Sequence, residues 1–167
     1  MSGKIRTQIK MSLPEVIEIV PLVSSPEMEI TVPGSKSITN RSLILAALSN
    51  GVVTLENALW SEDTQVMVDA LRLLGYKIEV NLDPAEPGNR NLIIEGRGES
   101  IPKGGLTEAP LELFVGNAGT AARFLTAFLC LGKGTYRLSG VSRMHERPQA
   151  SLLKSLRELG YRIDSDN

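Results

Sequence analysis

The sequence predicts a mixed α/β (α+β) fold built from two copies of one folding unit. The first reason is an internal repeat, in which ALRLLGYKIE at residues 70–79 returns 85 positions later as SLRELGYRID at residues 155–164. The second is that each copy joins an amphipathic helix to an alternating apolar and charged strand through a glycine suited to the left-handed C′ position. The third is the composition, 42% hydrophobic and 22% charged over 167 residues, which is that of an ordinary globular protein.

The first unit covers about residues 30–95 and opens with a loop of small residues. Its sequence, VPGSKSITNR at residues 32–41, indicates a turn that leads from a strand into a helix, with Arg41 in the first helical turn. A strand is expected next, over Val52–Glu56. The helix start is polar and basic, which makes it a candidate anion site.

The second half of the first unit contains another helix and two strands. The acidic turn SEDT, residues 61–64, is typical of a helix cap, so Asp63 is interpreted first as a capping residue. The helix that follows ends at Gly75 and leads into the alternating strand. The segment NLDPAEPGNRN, residues 81–91, then predicts a hairpin-like turn into a strand over Leu92–Glu95.

The second unit covers about residues 110–167 and has the same order of elements. Small residues at 115–123, VGNAGTAAR, open a helix, and a strand is expected over Thr135–Ser139. The loop SRMHERP follows, in which Pro148 is suited to begin the next helix. After Gly160 we expect a final strand, and because no further element follows it, the chain reads as part of a larger protein.

Composition excludes several classes of function. With 18 Lys and Arg against 19 Asp and Glu, the net charge of −1 does not suit a protein whose main partner is a nucleic acid. One cysteine and one histidine leave no disulfide framework and no Cys- or His-rich metal site. Apolar runs are far shorter than the roughly 20 residues of a membrane span. We expect no metal and no membrane partner, and a location in the cytoplasm or in an organelle reached by a signal already removed.

Three loops carry the residues suited to binding an anion. Lys36, Ser37 and Arg41 lie at the first helix start, where unpaired backbone N–H groups and the helix dipole favour negative charge. Gly119 opens the equivalent helix of the second unit, and Arg147 lies beside the next helix start. The structural alternatives are an N-capped helix with solvated cations, a tight helix-packing turn and a solvated basic loop. The first loop is not a nucleotide P-loop, because the glycine pattern of that motif is missing.

Two further side chains are assigned structural roles. Cys130 lies on the apolar face of a helix and is expected in the core rather than as a nucleophile. His145 stands in a loop without a visible carboxylate partner, so an exposed position is expected rather than a catalytic one.

The motifs PGSKSITNR, LFVGNAGTAARFL and SRMHERP, in this order and at these distances, resemble the enolpyruvyl transferases of the shikimate pathway. That family folds as two lobes, each of three βαβαββ units, in an inside-out α/β fold with helices inside and sheets outside. The resemblance implies that residues 25–167 form two of the three units of one lobe, and that residues 1–24 are a tail and a strand of the opposite lobe. An alternative is the related transferase of cell-wall synthesis that acts on a UDP-sugar, although its first loop differs.

The resemblance implies transfer of the enolpyruvyl group of phosphoenolpyruvate to the 5-hydroxyl of shikimate 3-phosphate, with release of phosphate and without a cofactor. It also implies a cytoplasmic location, or a plastid after removal of a transit peptide. Phe124 stands where many members have proline, a position that bears on glyphosate sensitivity. The residues carried over are Lys36 as catalytic, Lys36, Ser37 and Arg41 for shikimate 3-phosphate, Lys36, Gly119 and Arg147 for phosphoenolpyruvate, and Asn117, Thr120 and Arg123 as neighbours that shape the loop.

The resemblance also implies that this chain holds only part of an active site. The family's proton-transferring Asp and Glu come from sequence that the chain does not contain, and proton transfer requires such groups. We therefore expect the isolated chain to be inactive and the missing C-terminal portion to be its partner. A non-catalytic anion-binding module is the other reading of the same loops.

Overall fold

The computed structural model describes residues 15–165. The chain divides into two units, Met1–Thr31 and Val32–Asn167. Of the first unit, residues 15–31 are described, and they form no helix or strand. The prediction of a strand leading into the first loop is therefore wrong for the described residues. A strand forms only where a neighbouring strand pairs with its N–H and C=O groups. The assignment of residues 1–24 to an opposite lobe stays a prediction, and residues 1–14 lie outside the described part.

The first repeat folds into two helices and a three-stranded sheet. Its elements are α1 (Lys36–Ala47), β1 (Asn50–Leu59), α2 (Glu62–Leu73), β2 (Lys77–Leu82) and β3 (Asn89–Arg97). The strand order is β1-β3-β2, and β3 pairs antiparallel with both neighbours. The predicted hairpin is confirmed as the β2–β3 connection, and β1 and β3 extend beyond their predicted ranges.

Strand β1 contains a bulge near its carboxyl end. Its pairing with β3 shifts between Leu55 and Ala58, and Asn57 within the bulge has a left-handed backbone with φ of 55°. The amide oxygen Oδ1 of Asn91 on β3 accepts a hydrogen bond from the Asn57 N–H at 3.2 Å, which satisfies a donor that the ladder leaves unpaired.

The second repeat has one more helix and one fewer strand than the first. Its elements are β4 (Leu111–Phe114), α3 (Gly119–Leu129), β5 (Tyr136–Ser139), α4 (Ser142–His145) and α5 (Ala150–Glu158). Strands β4 and β5 pair in parallel. The strand predicted over Thr135–Ser139 is confirmed as β5, one residue shorter.

Three predictions for the second repeat are wrong. Residues 161–165 do not form the strand expected after Gly160, because they have no hydrogen-bonded partner strand among the described residues. The loop expected at residues 142–148 contains the short helix α4, and α5 begins at Ala150 rather than at Pro148. The prediction that a left-handed glycine follows the helix is confirmed in both copies, since Gly75 and Gly160 each have φ of 95°.

Helices α1, α2 and α3 pack against one another. Helices α1 and α2 also contact the sheet of the first repeat, and α3 contacts β5 of the second. Side chains from all three helices and from β3 and β4 form one core, whose largest fully buried members are Leu43, Met67, Leu71, Leu74, Leu92, Ile94, Leu113 and Leu125. This packing brings the amino-terminal turns of the three helices to the same side of the core, where they line one cavity.

Cys130 is half-buried at the end of α3 rather than a full member of the core. Its thiol donates to the carbonyl oxygen of Thr126 at 3.4 Å, and burial raises the pKa of the thiol. A raised pKa disfavours the thiolate, which agrees with the expectation that this residue is not a nucleophile.

Candidate functional site

The first loop ends at a capped helix start. Ser35 is the N-cap residue of α1, and its Oγ accepts a hydrogen bond from the Ile38 N–H at 3.4 Å. The helix begins at Lys36, so Arg41 lies in the second turn and not in the first turn as expected. Ser35 thus takes up the Ile38 N–H, and its carbonyl accepts from the Thr39 N–H at 2.9 Å, which leaves the N–H groups of Lys36 and Ser37 for an anion.

The second loop places the backbone of Gly119 against a guanidinium group. Gly119 is the first residue of α3, after the N-cap residue Ala118, and its N–H donates to the Asn117 carbonyl at 3.0 Å. A Cβ atom at position 119 would collide with Nη1 of Arg147. The absence of a side chain therefore lets Arg147 lie directly over the start of α3.

The third loop holds Arg147 at its backbone and leaves its side chain exposed. The Arg147 N–H donates to the Met144 carbonyl at 3.1 Å, and the Met144 side chain is buried. Arg123 of α3 donates from Nη2 to the Pro148 carbonyl at 3.1 Å. Arg123 thus ties α3 to the segment that carries Arg147.

These loops surround one cavity of about 260 Å³. Lys36 from the first repeat and Gly119 and Arg147 from the second line it together, although up to 111 residues separate them in the sequence. The remaining lining residues come from the starts of α2 and α3: Glu62, Asp63, Val66, Asn117, Ala118 and Thr120. The three residues predicted to contact the same substrate therefore lie at one site.

Ser37 and Arg41 do not line this cavity. They lie one turn apart on a neighbouring face of α1, where Nε of the exposed Arg41 donates to the Ser37 carbonyl at 3.1 Å. Of the residues predicted for shikimate 3-phosphate, only Lys36 lies at the cavity.

Asp63 is a cavity residue that sequence reasoning did not identify. Its Oδ2 lies 3.0 Å from Nζ of Lys36, and the two side chains are 24% and 47% exposed. Helix capping is performed by neighbours instead, since Ser61 is the N-cap residue of α2 and its N–H donates to Oγ1 of Thr64 at 2.9 Å. A signal was present, because this turn occupies the place in the first repeat that the Arg147 turn occupies in the second.

The described lining is electrically balanced. Lys36 and Arg147 supply two positive charges, and Glu62 and Asp63 supply two negative ones. Attraction for an anion at this site therefore depends on local geometry, namely backbone N–H groups and the direction of the two cations, rather than on net charge.

Neither a metal centre nor a membrane span is found in the part of the chain that the structure describes. No group of three or more His, Cys, Asp and Glu side chains among residues 15–165 is placed to hold a metal ion. Over the same range, no helix is long and apolar enough to cross a membrane.

Comparisons with known proteins agree with this architecture. The family model described as EPSP synthase (3-phosphoshikimate 1-carboxyvinyltransferase) matches residues 23–167. The 3-phosphoshikimate 1-carboxyvinyltransferase of Opitutus terrae is 47% identical over 155 residues, which is 92% of this chain and 34% of the relative. The enzyme of the same name from Trichormus variabilis is 44% identical over 146 residues, 87% of this chain and 32% of the relative.

Solved structures give the same result at the level of the fold. The EPSP synthase of Acinetobacter baumannii superposes with a TM-score of 0.69 at 31% identity, covering 83% of this chain and 29% of that one. Repeated helix and sheet units whose helix starts surround one cavity thus define an α/β protein with the enolpyruvyl transferase fold. The chain spans about a third of the length of the curated relatives it matches. It belongs to the EPSP synthase family.

Proposed function

We propose that this chain supplies part of the active site of a 3-phosphoshikimate 1-carboxyvinyltransferase. The reaction transfers the enolpyruvyl group of phosphoenolpyruvate to the 5-hydroxyl of shikimate 3-phosphate and releases phosphate. The observation that carries the proposal is the meeting of Lys36, Gly119 and Arg147 at one cavity. Both substrates carry a phosphate and a carboxylate, which are the groups that such a site attracts.

Lys36 and Arg147 bind the negatively charged groups of phosphoenolpyruvate. Arg147 offers a planar guanidinium that pairs with a carboxylate or phosphate through two parallel hydrogen bonds, and Gly119 leaves room for it. Lys36 is the catalytic cation, because a preorganised positive charge stabilises the negative charge that develops as phosphate leaves. Ser37 and Arg41, on the neighbouring face of α1, bind shikimate 3-phosphate together with Lys36.

The rest of the active site comes from the portion of the relatives that this chain does not span. Because the positive and negative charges of the lining are balanced, two phosphorylated substrates need further cations from elsewhere. Proton transfer in the reaction also needs an acid and a base, which we assign to the same missing portion. Residues 25–167 then form two of the three units of one lobe, and the large apolar side chains exposed on α1, Ile38 and Leu45, are covered by the remaining portion. The reaction needs no cofactor and takes place in the cytoplasm.

A chimera tests the proposal. Residues 23–167 replace the matched segment of the Opitutus terrae relative, and formation of enolpyruvylshikimate 3-phosphate is measured. We expect turnover in the chimera and none in the isolated chain. Lys36→Ala should lower kcat at least about 100-fold, because it removes a charge that stabilises the transition state. The matched control is Lys133→Ala, which removes an exposed lysine outside the cavity lining.

Two outcomes would count against the proposal. A folded chimera without turnover contradicts it, and phosphate binding by such a chimera favours the non-catalytic anion-binding module instead. If the Lys36→Ala chimera is as active as the Lys133→Ala chimera, Lys36 is not a catalytic residue.

A further inference from the structure

We propose that Asn89 is a positioning residue that sets the location of the loop carrying Lys36. It lies at the start of β3, outside the cavity, and no residue of this strand lines the site. The inference rests on the proposed function, because it concerns the placement of the same catalytic lysine.

The link between strand and loop is one hydrogen bond across the fold. Oδ1 of Asn89 accepts from the Gly34 N–H at 2.9 Å, and these residues are 55 positions apart. Asn89 is 4% exposed, so water does not compete for this bond. The Asn89 backbone is fixed as well, since its N–H donates to the Glu86 carbonyl at 2.9 Å. The acceptor therefore stands at a fixed point that the loop must meet.

Gly34 fits closely against the bulge of β1. A Cβ atom at this position would collide with the Asn57 carbonyl oxygen and lie 2.9 Å from the Leu59 nitrogen. The left-handed backbone of Asn57, held by Oδ1 of Asn91, directs that carbonyl toward the loop. The bulge and Asn89 thus form a seat for Gly34 that admits glycine alone. A bulge next to a functional residue commonly has such a directing role.

A second attachment lies on the other side of Lys36. The Leu59 N–H, which β3 does not use, donates to Oγ1 of Thr39 at 3.0 Å, and Thr39 is 5% exposed. The start of α1 is therefore tied to the sheet at Gly34 and again at Thr39. Lys36 lies between the two ties, so its Cα atom has little freedom to move relative to Gly119 and Arg147.

Accurate placement of the lysine has a direct effect on rate. A displacement of about 1 Å in a catalytic group can lower activity by about 100-fold. Loss of the Asn89 acceptor leaves Thr39 as the remaining tie and frees the loop at Gly34. The expected change is in catalysis by Lys36, with the fold retained.

The experiment compares four single substitutions, each made separately in the chimera. Asn89→Ala removes the acceptor and should lower kcat/KM by about 10- to 100-fold. Asn89→Asp keeps an acceptor oxygen at the same place and should retain more activity than Asn89→Ala. Asn81→Ala is the matched control on the same sheet, and Ile94→Val is a mild core change that reports the effect of lost stability alone. Both controls should remain within about threefold of the parent.

A double substitution separates positioning from general structural damage. If Asn89 acts through Lys36, Asn89→Ala should lower kcat/KM by less than about threefold in a chimera that already carries Lys36→Ala. The reason is that the effects of substitutions at interacting residues do not add. Equal losses in the two backgrounds overturn the proposal. So does an Asn89→Ala chimera as active as the Asn81→Ala chimera.

Hydrogen exchange gives an answer that does not depend on turnover. In the 167-residue chain, Asn89→Ala should speed amide exchange at Gly34 and at the start of α1 at least tenfold relative to Asn81→Ala and Ile94→Val. If the unsubstituted chimera lacks turnover, the proposed function fails, and this exchange measurement still decides whether Asn89 fixes the loop. Unchanged exchange at Gly34 refutes the inference on its own.

Discussion

Gly119→Ala should separate stability from substrate binding at the cavity. Gly119 is the first residue of α3 and its φ is not left-handed, so alanine fits the backbone. In a helix interior alanine is favoured over glycine by about 0.8–1.0 kcal/mol, and a smaller gain is expected at the first position. The atom that the new Cβ meets, Nη1 of Arg147, is the far end of a flexible and exposed side chain, which can move at little cost. Stability should therefore stay within about 1 kcal/mol of the parent value.

The same methyl group should weaken the binding of phosphoenolpyruvate. Arg147 must leave its place over the start of α3. The charge-assisted hydrogen bonds that we propose it forms there with phosphoenolpyruvate would be worth about 1.5–3 kcal/mol. At about 1.4 kcal/mol per factor of ten, the KM for phosphoenolpyruvate should rise about 10- to 100-fold. The KM for shikimate 3-phosphate should change less, because two of its three predicted residues, Ser37 and Arg41, lie outside the cavity.

Steady-state kinetics on the chimera and thermal unfolding measure the two effects. Arg147→Ala supplies the reference, and the double variant closes a mutant cycle. If displacement of Arg147 is the cause, Gly119→Ala should have almost no effect once Arg147 is alanine. A rise in KM of the same size in both backgrounds would refute this reasoning, and so would an unchanged KM in the single variant.

Three further predictions concern the chain by itself. Asp63→Asn frees Lys36 from its ion pair, and because a half-exposed pair is worth about 0.5–1 kcal/mol, phosphate affinity by NMR titration should rise about two- to fivefold. Burial raises the pKa of Tyr76 to about 12, above its ordinary value of 10. The stability that this residue contributes is complete below pH 10, and the free energy of unfolding should fall by about 2 kcal/mol as pH rises toward 12. Tyr76→Phe should remove this fall, which urea titrations at alkaline pH measure. Leu43→Ala should lower the free energy of unfolding by about 2–5 kcal/mol in chemical denaturation, because Leu43 is fully buried.

Each of these predictions has a matched control on the same chain. Asp69→Asn removes a carboxylate that pairs with Arg72 outside the cavity lining, and phosphate affinity should not change. Tyr161→Phe should leave the alkaline fall in place, because Tyr161 is 38% exposed. Leu45→Ala, on the exposed side of α1, should cost less than about 0.5 kcal/mol. A control that behaves like its partner contradicts the corresponding prediction.

Local signals made much of the fold predictable. Helix periodicity and a glycine stop depend on a few neighbouring residues, and the repeat supplied each signal twice, so Gly75 and Gly160 were both assigned the correct left-handed backbone. The hairpin between β2 and β3 follows from turn residues that lie together in the sequence. The strand expected after Gly160 was wrong because a strand also requires a partner, which periodicity does not reveal.

Long-range contacts limited what could be predicted about the site. Lys36, Gly119 and Arg147 were identified from loop chemistry and from the resemblance, and the structure brings them to one cavity. The pairing of Asp63 with Lys36 depends on how α1 and α2 pack, and Asp63 has the local sequence of an ordinary capping turn. The seat formed by the Asn57 bulge was equally hidden, since the register shift that creates it arises between β1 and β3.

The order β1-β3-β2 has a consequence for biosynthesis. Strands β1 and β2 do not pair with each other, so a nascent chain that has left the ribosome as far as β2 has no hydrogen-bonded sheet in this repeat. The sheet closes only when the last strand, β3, inserts between the two that were made first. Because Asn89 begins that strand, the same late event delivers the acceptor for Gly34, so the loop that carries Lys36 is fixed only as the sheet becomes complete.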